Sequence, residues 1–166
     1  LNKEIIKKVA ADERFELHYY GREQQTAKNM KIYAQSIGAK NVFFHGEYKP
    51  EDRYQFVRQT DIIHNIYYDD NTMLATGNKF YDGIIFRIPQ LCMQGSFMGE
   101  QVEKYGVGRA CDPYDSQWLE IVYEYYRKLN IENFMQRCEV LLERIRGQYL
   151  NLLDIIKDIN LSAKNR

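Results

Sequence analysis

Proline, cysteine and net charge are all scarce in this chain of 166 residues, and each scarcity excludes something. The three cysteines, Cys92, Cys111 and Cys138, stand far apart among apolar or helical neighbours, which makes neither a disulfide framework nor a paired metal-ligand motif. Reduced, buried thiols of a cytosolic protein are the expectation. With 23 Lys and Arg against 23 Asp and Glu, no general field draws in nucleic acid or acidic lipid, although a local basic pocket stays open. No run reaches the roughly 18 apolar residues that span a bilayer, and the opening LNKEIIKKVAADE is too charged for a secretory signal. A soluble, cytoplasmic chain is therefore expected. Only three prolines occur, with no Pro/Gly/Ser-rich linker and no internal repeat, so residues 1–166 read as one domain. What is plentiful is core material: 45% of residues are hydrophobic and 14 are Tyr.

Periodicity then orders the chain. Leu1, Ile5 and Val9, four apart, predict an amphipathic helix; Phe15, Leu17 and Tyr19 alternate up to Gly21, as a strand ending in a turn would. Ala27, Met30, Ala34 and Ile37 predict a second helix closed by Gly38. NVFFH, closed by Gly46, predicts a strand, Pro50 to Gln59 a helix opening on proline, and DIIHNIYY a buried strand. After the polar loop YDDNT, Met73 to Phe86 reads as a loop turning into a helix that Pro89 stops. IPQLCM is the next strand, Phe97 to Tyr105 a helix ended by Gly106, and VGRACDP the last strand. From about residue 116 the pattern is helical throughout. Its longest stripe runs from Cys138 through Leu141, Leu142, Ile145, Tyr149, Leu152 and Leu153 to Ile156, a core or docking face. Short strands alternating with longer helices imply an α/β, Rossmann-like fold with a doubly wound parallel sheet and a carboxyl-terminal helical tail. Ligands of such sheets bind beyond the carboxyl ends of the strands, here after Tyr20, His45, Tyr67, Met93 and Asp112.

The segment GNKFYDGIIFRIPQL, residues 77–91, carries the most chemistry. A helix starting near Asn78 directs free backbone N–H groups into the crevice, which suits a phosphate, and Lys79 adds a cation. Asp82, three residues on and on nearly the same face, can accept hydrogen bonds from vicinal ribose hydroxyls. By spacing alone the plainer reading is an ordinary helix start with an exposed Lys–Asp pair. Gly95 and Ser96, just past a strand, can bring backbone N–H groups to a sugar or phosphate. His18, His45 and His64 fall in strands without a ligand partner at i+2 or i+4, so structural roles are expected, His45 lying nearest the crevice. Glu100 and Glu103 read as surface acids.

Taken in order, NVFFHG, Asp61-Ile62-Ile63, NKFYDGIIFRIPQL and GEQVEKYGVGRACDP resemble the carboxyl-terminal half of GT-B glycosyltransferases, the large group that includes bacterial polysaccharide synthases. The likeness runs from about Phe15 to Pro113. It implies a donor-binding domain for a nucleoside-diphosphate sugar, serving bacterial capsule, lipopolysaccharide or exopolysaccharide assembly. Asp82 then stands where the family contacts the donor ribose, and Asn78 and Lys79 lie on the phosphate side. Gly46, Glu47 and Tyr48 form the nucleobase loop, with Gly21 and Arg22 at the turn beside the cleft. It further implies a saccharide or lipid-linked acceptor held by a separate amino-terminal domain. No metal or other cofactor is implied, so Asp69 and Asp70 are not expected to hold one. Peripheral association of the full-length protein with the inner face of the cytoplasmic membrane is compatible with such a role.

The chain departs from the family pattern at three places. Asp82 replaces the commoner Glu, and Leu74 stands where many relatives carry a first Glu of a pair. Arg87-Ile88-Pro89-Gln90 replaces Gly-Lys-Pro-Val, so the tight glycine turn is expected to be lost. The family's first strand, with its glycine turn, is expected to lie outside this chain, which would leave it inactive alone. Two rival readings remain: a nucleotide-sugar epimerase of the same architecture, and a non-catalytic α/β module that binds a protein through its helical tail.

Overall fold

The computed structural model describes residues 1–164, the side chains of residues 70, 158 and 160–164 excepted. Helix α1 (Asn2–Ala10) buries Ile5, Ile6 and Val9, the face its four-residue spacing sets. Strand β1 (Leu17–Tyr20), helix α2 (Gln25–Ser36) and strand β2 (Val42–Gly46) follow as a parallel βαβ unit. Leu17 lies beside Val42 and Tyr19 beside Phe44 before the register shifts at Tyr20. A 3₁₀ turn (Pro50–Asp52) leads into the short helix α3 (Arg53–Val57).

The second part holds β3 (Ile63–Asn65), α4 (Asp70–Met73), α5 (Asn78–Ile85), β4 (Gln90–Met93), α6 (Phe97–Tyr105) and β5 (Gly108–Cys111). Its strands pair in parallel in the order β3-β4-β5. Helices α7 (Trp118–Arg127) and α8 (Ile131–Lys164) complete the chain. The fold is α/β with parallel strands and helices on both faces, as a Rossmann-like arrangement requires.

Two clusters sandwich the second sheet. On one face Phe80, Ile84, Cys92, Met98, Val102 and Val107 pack with Phe134, Cys138 and Leu141 of α8. On the other, Leu91, Met93 and Cys111 meet Ile5 and Val9 of α1 and Trp118 and Val122 of α7. A third, smaller cluster joins Ile6 to Met30 and Ala34 over the first sheet. Helix α1 thus reaches both sheets. All three cysteines are free and buried.

Several expectations differ from the structure. The sheet is not continuous: β1-β2 and β3-β4-β5 are separate hydrogen-bonded sets. DIIHNIYY forms strand only over Ile63–Asn65, because β3 has a partner on one side alone. YDDNT is not all loop, since the Asp69 carboxylate accepts from the N–H groups of Asn71 (3.1 Å) and Thr72 (2.9 Å) and starts α4. The turn after α5 is kept without glycine: Arg87 itself adopts the left-handed conformation, at φ 56°. The Ile88 N–H then reaches back to the Gly83 carbonyl at 2.9 Å, closing the helix end. The helical tail is two helices, and only the first half of the α8 stripe is covered. Beyond Ile145 the side chains of Tyr149, Leu152, Ile156 and Ile159 are exposed.

Candidate functional site

Beyond the carboxyl ends of β1 and β2 the chain turns twice through left-handed backbone, at Gly21 and Gly46. The two turns are tied together by the Gly21 N–H donating to the Gly46 carbonyl at 2.8 Å. They open a crevice of about 540 Å³ lined by Arg22, Glu47, Tyr48, Lys49 and Arg53, a volume within the usual range for a small-molecule site. Arg22 Nε donates to Glu47 Oε1 at 2.9 Å across its mouth. The Lys49 N–H donates to Asp52 Oδ2 at 2.8 Å, which fixes the start of the 3₁₀ turn. Tyr48 meets Phe56 edge to face at 5.2 Å, and Phe56 stacks on Tyr20 at 3.9 Å between ring centres, so α3 is held against the strand ends by aromatic contact.

Arg53 connects this crevice to the second sheet. Its Nη1 stands 3.5 Å from both carboxylate oxygens of Asp82, one turn into α5. The predicted residues Gly21, Arg22, Glu47 and Tyr48 therefore share one cavity, and Asp82 joins them through Arg53. Asn78 opens α5 after Gly77, with no side chain capping the helix start, and the Phe80 N–H donates to the Gly77 carbonyl at 3.0 Å. Lys79 holds its ammonium 5.7 Å from the centre of the Tyr67 ring.

Gly95 and Ser96 lie beyond the end of β4, and Ser96 is engaged locally. Its N–H and hydroxyl both donate to the Met93 carbonyl, and its oxygen accepts the Gly99 N–H at 3.0 Å, capping α6. Glu103 accepts the Ala110 N–H at 2.9 Å and pairs with Arg109, well down α6 from the strand ends. The Asp69 carboxyl, held below its usual range chiefly by the Thr72 N–H and hydroxyl, is a helix cap, and the Asp70 side chain lies outside the described residues. Among the described residues no group of three or more His, Cys, Asp and Glu is arranged to hold a metal.

Three features escaped sequence reasoning. Arg53 sits in a segment read only as helix, and its one signal was a cation in the first turn after a glycine-bearing crevice loop. Gln90, fully buried, donates from Nε2 to the Phe80 carbonyl at 2.9 Å and accepts from Asn65 Nδ2 at 2.7 Å. It locks α5, and with it Asp82, onto β3 and β4. His18 Nδ1 and His45 Nε2 lie 2.9 Å apart across the first sheet. His18 Nε2 donates to Glu16 at 3.1 Å, which leaves Nδ1 to accept from His45. Burial first, and then His18, keep the His45 pKa below the usual value. This pair is a product of strand register, invisible to a search along one strand.

No family model matches the chain, and no curated protein matches it either.

Proposed function

We propose that the chain is the donor-binding domain of a GT-B-type glycosyltransferase that acts on a nucleoside-diphosphate sugar in the assembly of a bacterial surface polysaccharide. The observation that carries this reading is the convergence of Gly21, Arg22, Glu47 and Tyr48 on one crevice with Arg53, which reaches Asp82. The base lies against Tyr48 and the backbone after Gly46, while Asp82 accepts from the ribose hydroxyls. The diphosphate lies toward Arg53, Lys79 and the uncapped start of α5, whose fixed dipoles and cations stabilise the leaving group without a metal. Acceptor binding belongs to a second domain.

Calorimetric titration with uridine, guanosine and adenosine diphosphates tests this. At least one should bind, and Asp82→Ala and Arg53→Ala should each weaken it at least tenfold. A chain that binds none of them is not a donor domain. The exposed stripe of α8 favours a second reading, a protein-interaction module, which expects no nucleotide affinity in the same titration.

A further inference from the structure

A second concavity with basic lining lies at the start of β5. The end of α6 at Gly106, the start of β5, the last turns of α7 and the first turns of α8 enclose a cavity of about 530 Å³. Arg109, Lys128 and Arg137 line it against a single carboxylate, Glu124, while Ile121, Leu129 and Phe134 supply apolar wall. In a chain of zero net charge this is a local excess of cations. Two of the three are already matched, Lys128 by Glu124 at 2.6 Å and Arg109 by Glu103 at 3.4 Å. Arg137 is not: among the described residues it enters no ion pair and no side-chain hydrogen bond. It rests against Gly106, whose left-handed backbone (φ 64°) and missing Cβ make the room, since a Cβ there would collide with the guanidinium.

A second donor is idle beside it. The Tyr125 hydroxyl is buried with no hydrogen-bond partner, and burial chiefly pushes its pKa up to about 12, so it remains protonated. An unmatched guanidinium and an unmatched buried hydroxyl in one cavity lack the same thing, an acceptor with several oxygens. A neighbouring cavity of about 500 Å³ shares Arg137 and Asn133 and adds Lys104 and Arg144, so the positive lining continues along α8.

We propose that this pocket is a second ligand site, independent of the crevice, that binds a phosphate group attached to an apolar or ring-bearing body. Arg137 grips the phosphate, Tyr125 donates to it, and the body lies against Phe134 and Leu129. A soluble phosphorylated metabolite and a lipid headgroup both carry this chemistry.

The intact chain, isotopically labelled and titrated with inorganic pyrophosphate, should show amide shifts at Gly106, Tyr125 and Asn133. Arg137→Gln should weaken binding at least tenfold and Tyr125→Phe several-fold, with unchanged Tm, whereas Asp82→Ala should leave it unaltered. Sedimentation with phosphatidylglycerol vesicles separates the sources: Arg137-dependent co-sedimentation assigns the site to a headgroup, and pyrophosphate binding without it assigns a soluble ligand. Shifts confined to the crevice, or full affinity in Arg137→Gln, would overturn the proposal. Because Asp82→Ala removes only the crevice, loss of the donor reading leaves this outcome legible.

Discussion

Strand β4 is buried at every position, whereas β1 and β2 are half-exposed along most of theirs. The second sheet has a packed cluster on each face. The first is covered by α1 and α2 on one face, and the other carries a partly open ladder of His18, Phe43, His45 and Tyr20, closed only at one end by Phe56. Buried apolar area is what resists unfolding, so resistance is concentrated in the β3–β5 part, and most of the crevice chemistry sits on the weaker β1–β2 part. Ligand sites are commonly drawn from such less stable segments. Here the arrangement has a particular form: Asp82 is anchored from the strong part through Gln90, and Arg53 reaches it from the weak one.

The comparison can be broken most directly by making the same substitution in both parts. Phe134→Ala, at a side chain 2% exposed, should cost about 3–5 kcal/mol in urea denaturation, and Phe44→Ala, on the half-buried first sheet, about half as much. Equal losses would remove the asymmetry. Gln90→Ala should cost about 2–4 kcal/mol, since it empties a fully buried position and leaves the Asn65 side-chain amide without its acceptor. It should also weaken nucleotide binding through Asp82. Unchanged binding would show that α5 is held by its apolar contacts alone.

Acid sharpens the contrast next. Burial first, and then the Lys79 ammonium, push the His64 pKa down to about 4. An unfolded imidazole near 6.5 takes up a proton that the native one refuses. Stability is thus full above about pH 6.5 and falls as pH drops toward 4, by up to about 3 kcal/mol. His64→Leu should flatten that slope, measured from denaturation midpoints between pH 7 and 4.5. The smallest effect is expected at Arg87, whose left-handed backbone costs about 1 kcal/mol for most residues. Arg87→Gly should change stability by less than about 1 kcal/mol, while the β-branched Arg87→Val should lose about 1–2 kcal/mol.

Much of this architecture was legible in the sequence, for physical reasons that vary by element. Helix α6 matches its expected bounds of Phe97 to Tyr105 because a serine cap and a left-handed glycine mark its ends. Strand β4 could be read from IPQLCM because Pro89 must stop the preceding helix. Arg87 hid its turn, since nothing in an arginine advertises positive φ. The break between the sheets was hidden for another reason: strand pairing is a relation between distant segments, and periodicity speaks only of neighbours. The same limit concealed the His18–His45 contact and the Gln90 bridge. At the site, the loops after β1 and β2 followed from sheet topology, but Arg53 needed the third dimension to reach Asp82.

The positions of the three thiols have a practical consequence. Cys92 on β4 and Cys111 on β5 lie opposite Ala110 and Met93, Cys138 packs with Cys92 in one cluster, and burial raises their pKa values to about 12, 12 and 11. At neutral pH a thiol reagent can meet a thiolate only when that part of the molecule opens. The first 91 residues contain no cysteine at all. Labelling kinetics of the unmodified protein are therefore a clock fitted to one half only, deaf to any motion of the crevice loops around Gly21 and Gly46.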